Sequence, residues 1–392
     1  MNIAPQDAPC KDIKVIEFAT MVSGPLAGQM LADLGAEVIK IEPLSGDPLR
    51  AMRPHNRGLP AYFHQMNRSK KSLALDLKTA DGIRVAKQLI KQADVVLENF
   101  KPGTMEKIGL GYNELCKDNP GLIFATINGF GTNGPYANRP AYDHVIQGLS
   151  GVMEQFGRFA GTGAPAPIHN PIADKLASTT LTQGILAALL SRERNGGIGQ
   201  TVSVSLLDSY ATFMMHEQMA NHTFQYEGRE QINEVKLHFP IETSDGYVIG
   251  HVQLDPQFHA LCRISGREDL IDDPRFKDPW SRISRYGEMW EEIQKGTRNF
   301  STKELVENAA SQNVPLAPVN SIEDFFDDPQ VRHNQTWFDF DDNECGTIRN
   351  LKYPIEFGLS QIDTRHRGPL LNEHGDEILS SLEQSTKASS TN

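Results

Sequence analysis

The feature that most limits what this chain can become is a regular exchange of two textures along its N-terminal third. DIKVIEF, EVIKIE, SLALDL, DVVLENF and GLIFATINGF are short apolar runs, and LAGQMLADLGA and TADGIRVAKQLIKQA between them carry apolar residues at helical spacing. Strands separated by helices align in parallel through right-handed crossovers. The pattern therefore predicts an α/β fold whose large domain is a doubly wound, Rossmann-like sheet. Pro25 suits the first turn of the first helix and Gly35 its end. No GxGxxG follows the first strand, so the fold does not bring a dinucleotide with it.

The texture changes near Gly228. FPIETSDGYVIGHV reads as two short strands joined at SDG, and Pro256 to Asn313 reads as polar helices. At 392 residues the chain exceeds what one core usually serves. The expected division is residues 1–227 as the first part of the large domain, 228–325 as a smaller inserted α+β domain, and 326–392 as a return to the large domain. That return ends in the helix LLNEHGDEILSSL and a disordered tail, QSTKASSTN.

A formal net charge of −12 argues against nucleic acid or an anionic membrane as the main partner. No run of signal-peptide or membrane-spanning type occurs, and Cys10, Cys116, Cys262 and Cys345 form no CxxC pair. A cytoplasmic protein without a metal site is expected.

Two stretches draw attention as chemistry. PIADKLASTTLTQGILAALLSRERNGGIG places Asp174 at the start of a long helix whose Leu176, Leu181, Ile185, Leu186, Leu189 and Leu190 form a wide apolar face. Unpaired amides at a helix start should lower the carboxylate's pKa and keep it ionised. Such a group can be a nucleophile or simply a cap. NRSKKSLALDLK joins a basic cluster, Arg68, Lys70 and Lys71, to a strand through Leu73, Leu75 and Leu77, where a phosphate or only solvent could sit. The loop GTNGPYANRPAYDHVIQGLSG offers Tyr142, Asp143 and His144. Phe213, Met214, Met215 and Met219 suit a core or a subunit contact.

Taken in order, VIEFATMVSGPLAGQMLADLGAEVIKIE, NRSKKSLALDLKTADG, ADVVLENFKPGTMEKIGLGY, GFGTNGPYANRPAYDHVIQGLSG, PIADK, GGIGQTVSVSLLDS and VPLAPVNSIEDFFDDP resemble the family III coenzyme A transferases, which include formyl-CoA and carnitine CoA transferases. The resemblance implies an interlaced homodimer and movement of CoA from an acyl-CoA donor to a carboxylic acid acceptor, with CoA as a substrate and no tightly bound cofactor. It places the nucleophile on Asp174. It places CoA contacts on Ser23, on Leu75, Asp76, Leu77 and Lys78, on Asn99, Phe100 and Lys101, on Lys107, and on Ala141, Tyr142 and Asp143. The chain departs from formyl-CoA transferases at Val22, where they carry glutamine, at Pro43, where they carry arginine, and in lacking their tetraglycine loop. Oxalate or formate specificity is therefore not expected. The alternatives are a 2-methylacyl-CoA racemase of the same fold, whose histidine position is Tyr142 here, and a non-catalytic CoA-binding protein.

Overall fold

The computed structural model describes residues 7–161, 163–231 and 240–390, the last six of these by backbone alone. The chain divides into two compact units, Met1–Gln218 with Gln335–Asn392, and Met219–Asn334. The segment 228–325 expected from sequence lies inside the second unit at both ends.

The first unit is built on six parallel strands: β1 (Lys14–Glu17), β2 (Glu37–Glu42), β3 (Lys71–Ala74), β4 (Val95–Glu98), β5 (Ile123–Asn128) and β6 (Thr201–Ser205). Their spatial order is β3-β2-β1-β4-β5-β6, with Ile16 level with Ile39 on one side and Val96 on the other. This is the doubly wound order, in which the chain turns back at β1 and β4 and leaves a crevice outside their carboxyl ends. Helix α1 (Ser23–Asp33) follows β1, α2 (Ala61–Asn67) precedes β3, and α3 (Ala80–Lys91) leads to β4. After β5 come α4 (Asp143–Leu149), α5 (Val152–Phe159) and the long α6 (Ile172–Arg194), and α7 (Leu206–Met214) leaves β6. Thr79 caps α3 through the amide of Gly82 at 3.1 Å.

Two cores flank the sheet. One packs Val15, Leu97 and Ala125 against Ala27 and Leu31 of α1 and Ala173, Ala177, Leu181 and Ile185 of α6. Because α1 runs close over β1, a Cβ on Gly24 would stand 2.2 Å from that of Ala19. The other core joins Ile16, Ile41 and Leu73 to Leu89, Ile90 and the C-terminal Ile378 and Leu382. Those two belong to α11 (Gly375–Ser390), so helix continues through the stretch expected to be a disordered tail; Thr391 and Asn392 lie outside the described residues. The return segment also carries the antiparallel pair β10 (Trp337–Asp342) and β11 (Gly346–Leu351). Its Asn350 meets His64 of α2 at 2.5 Å.

The second unit holds a three-stranded antiparallel sheet, β7 (Ile241–Glu242), β8 (Tyr247–Gly250) and β9 (Leu316–Pro318). Phe239, read from sequence as part of its first strand, lies outside the described residues. Helices α8 (Asp255–Ile264), α9 (Tyr286–Thr297) and α10 (Thr302–Ser311) enclose Phe258, Leu261, Phe276, Tyr286, Trp290 and Leu305. Ser301 and Glu304 form a capping box at the start of α10.

Candidate active site at the carboxyl ends of the central strands

The turn leaving β1 is held from three sides. Asn99, just beyond β4, accepts from the Thr20 amide at 2.9 Å and donates to the Thr20 carbonyl at 2.8 Å. Lys40 of β2 donates to the Ala19 carbonyl at 2.7 Å, and Asp47 accepts from the Met21 amide at 3.3 Å. Met21 has a φ of 66°, a left-handed conformation that costs a side-chain-bearing residue energy and persists here because both flanks are tied down. The turn presents Ser23 at the start of α1.

Helix α6 delivers the facing group. Ser178, one turn beyond Asp174 on α6, donates its hydroxyl within reach of both the Ser23 and the Asp174 carbonyls, each at 2.7 Å. That contact locks the two helix starts together. The Ser23 hydroxyl lies near enough to the Asp174 carboxyl to favour its anion, and the Asn99 amide reaches Ser23 at 3.4 Å. Asp174 is thus a half-buried carboxylate beside the crevice between β1 and β4.

The expected lowering of its pKa is overturned. Burial, reinforced by the neighbouring charge of Asp143, pushes Asp174 up to about 6, against the opposing effects of the Ser23 hydroxyl and the charge of His144. The helix-start amides do not serve Asp174. The amides of Ala173 and Asp174 donate to Oδ2 of Asp143, at 2.6 and 3.1 Å, so the capping expected of Asp174 is performed by a residue 31 positions earlier. Gln147 of α4, fully buried, donates to Asp143 Oδ1 at 2.5 Å and accepts from the Ile168 amide at 2.9 Å. Neither role was visible in the sequence, where Asp143 heads its own short helix.

The other positions singled out from sequence divide into two sets. Leu75 is buried, Leu77 and Phe100 pack against the same core, and Asp76 accepts from the Lys78 amide at 3.0 Å. The strand there ends at Ala74, short of Leu77. Lys78, Lys101, Lys107 and Tyr142 are exposed, Ala141 is half-buried, and the three lysines form no ion pair among the described residues. The carboxylate of Asp143 is committed to the start of α6.

Arg68, Lys70 and Lys71 are each paired with a carboxylate, and Arg68 and Lys70 are buried. Arg68 grips Asp33 through two hydrogen bonds of 3.0 and 2.8 Å, Lys70 lies buried 2.7 Å from Glu17, and Lys71 bridges Glu37 and Glu377. Glu17 also pairs with buried Lys40, which pairs with Asp47. A Cβ on Gly28 would stand 1.9 Å from Oε2 of Glu17, so only glycine lets α1 cross this charge cluster. Glu98 ends β4 buried, accepts from the Phe100 amide at 2.7 Å, and is pushed up to about 7 by its burial. Sequence reasoning missed this buried carboxyl because it reads as an ordinary strand end. Phe213 and Met219 are exposed on the single chain rather than in its core.

The CoA-transferase family III description matches residues 10–375. The chain is 36% identical to the succinate–glutarate CoA-transferase of Agrobacterium fabrum, over 96% of each protein. It is 31% identical to the succinyl-CoA–D-citramalate CoA-transferase of Chloroflexus aurantiacus, over 95% of this chain and 94% of that one. Among solved structures, a CAIB/BAIF family protein from Brucella suis superposes with a TM-score of 0.84 at 34% identity, covering 96% of this chain and all of that one. The chain belongs to CoA-transferase family III. It is a CoA-transferase that takes CoA thioesters as substrates. No helix among the described residues is long and apolar enough to cross a membrane, and no cluster of three or more His, Cys, Asp or Glu residues there could hold a metal.

Proposed function

We propose that the chain moves CoA from an acyl-CoA donor to a carboxylic acid through covalent intermediates on Asp174. A carboxylate oxygen of Asp174 attacks the thioester carbonyl, the C–S bond breaks, and an aspartyl–acyl anhydride forms with release of the CoA thiolate. The thiolate attacks the aspartyl carbonyl, expels the donor acid and leaves an aspartyl–CoA thioester. An acceptor carboxylate attacks that thioester, and the returning thiolate takes the new acyl group from the resulting anhydride, restoring Asp174. Splitting one exchange into activated steps is what covalent catalysis offers. The observation that carries this reading is the placement of Asp174: a poorly solvated carboxylate near Ser23, beside the crevice where doubly wound sheets bind ligands.

CoA itself is proposed to run along Ser23, Leu75 to Lys78, Asn99 to Lys101, Lys107 and Ala141 to Asp143, with the unpaired lysines meeting its phosphates. Relatives named for succinyl, glutarate and citramalate transfer support dicarboxylic substrates for this chain too. Val22, apolar where formyl-CoA transferases carry glutamine, supports an acceptor larger and less polar than oxalate. The test is incubation with succinyl-CoA, quenching and mass analysis of the Asp174 peptide. A CoA adduct on Asp174 that hydroxylamine removes is expected. A turnover-competent enzyme with no such adduct, or an Asp174→Ala variant with near-normal transfer, overturns the assignment.

A further inference from the structure

Helix α6 begins with Pro171 at its cap position, which offers no side-chain acceptor to the first amides of the helix. The acceptor comes from Asp143, 4% exposed, whose Oδ2 takes the amides of Ala173 and Asp174 while Oδ1 takes the amide of Gln147. Gln147 also donates to the carbonyls of Ile168 and Asn170 at 3.2 Å, so Asp143, Gln147 and the strap before α6 form one closed hydrogen-bonded unit. We infer that Asp143 is a positioning residue that occupies the anion seat at the start of α6 and thereby withholds those amides from Asp174.

The inference rests on the reading of Asp174 as the nucleophile. A carboxylate bonded to two helix-start amides is stabilised as an anion and is correspondingly a poor nucleophile. With Asp143 in that seat, Asp174 is left without those amides and gains a like charge beside it, which agrees with its elevated proton affinity. The charged and titratable groups bearing on the pair are Asp143 and His144 from α4 and Tyr210 from α7, whose buried hydroxyl has no hydrogen-bond partner among the described residues and feels the charge of Asp143. Replacing Asp143 by a neutral group removes the like charge and weakens the hold on the amides, and both changes act in the same direction on Asp174.

The experiment compares the pH dependence of kcat/KM for the full chain and its Asp143→Asn variant with succinyl-CoA and one acceptor acid. The acid limb is expected near pH 6 in the wild type and roughly one pH unit lower in the variant. Transfer at pH 8 is expected to fall several-fold, because a less basic carboxylate attacks more slowly. Asp143→Ser, a neutral cap, gives the same shift should the Asn variant not fold, and Asp143→Glu returns the limb toward its wild-type position. An acid limb that stays in place in the folded neutral variants overturns the inference. The Asp174–CoA adduct separates the two readings: a variant that still forms it with an unmoved limb refutes the role of Asp143 alone. A wild type that turns over without it refutes the nucleophile, and the inference with it.

Discussion

At the scale of single residues, the raised proton affinity of Asp174 has a cost to the fold. Asp174 was legible in the sequence as the first charged group of an apolar helix, but its state was not. Its pKa depends on Asp143, whose role appears only when α4 and α6 are brought together. An aspartate raised from its ordinary 3.8 to about 6 is more easily protonated in the folded chain than in the unfolded one. As pH rises through that window, the unfolded state gives up its proton first and stability falls. Above about pH 6 the whole penalty is present, on the order of 3 kcal/mol. Asp174→Asn stays neutral and escapes it. We expect the variant to be inactive yet to melt several degrees above wild type at pH 8, with the gap closing by pH 4. Equal or lower Tm at pH 8 would show that Asp174 carries no such strain.

At the scale of elements, adjacent lysines in one sequence motif end in opposite environments. Lys70 and Lys71 were read together as a basic cluster because their partners, Glu17 on β1 and Glu37 on β2, become neighbours only in the sheet order. The alternation of strands and helices was plain in the sequence; which acid faces which lysine followed from the order of the strands. Lys70 is fully buried, so Lys70→Met strands Glu17 beneath α1 with Lys40 as its one remaining cation among the described residues. Breaking a buried pair in this way costs about 3–5 kcal/mol. Lys71 is about one-third exposed, and loss of its pairs with Glu37 and Glu377 costs about 1 kcal/mol or less. Denaturant titrations of Lys70→Met and Lys71→Met should differ accordingly. Equal effects would mean that Lys70 is not the fixed cation beneath this turn.

At the scale of the whole molecule, the single chain leaves large apolar side chains uncovered. Phe213 is 61%, Phe224 63% and Tyr226 59% exposed, with Met219, Ile355 and Leu359 also open. Scattered exposed apolar residues are ordinary, but bulky aromatics and a methionine within one short stretch of sequence, Phe213 to Tyr226, are typical of surfaces that another chain covers. The sequence placed Phe213 and Met219 in a core or a subunit contact, and their exposure removes the first of these. We propose that a second copy of the chain covers them. Sedimentation at micromolar concentration should then give a species of about twice 43.5 kDa. Phe213→Glu combined with Phe224→Glu should shift it toward the single-chain mass, because burying two carboxylates in an apolar interface is unfavourable by several kcal/mol. Activity should fall with dilution in that variant as association becomes limiting. A wild-type chain that sediments as a monomer and transfers CoA at full rate would mean that these side chains serve something other than self-association.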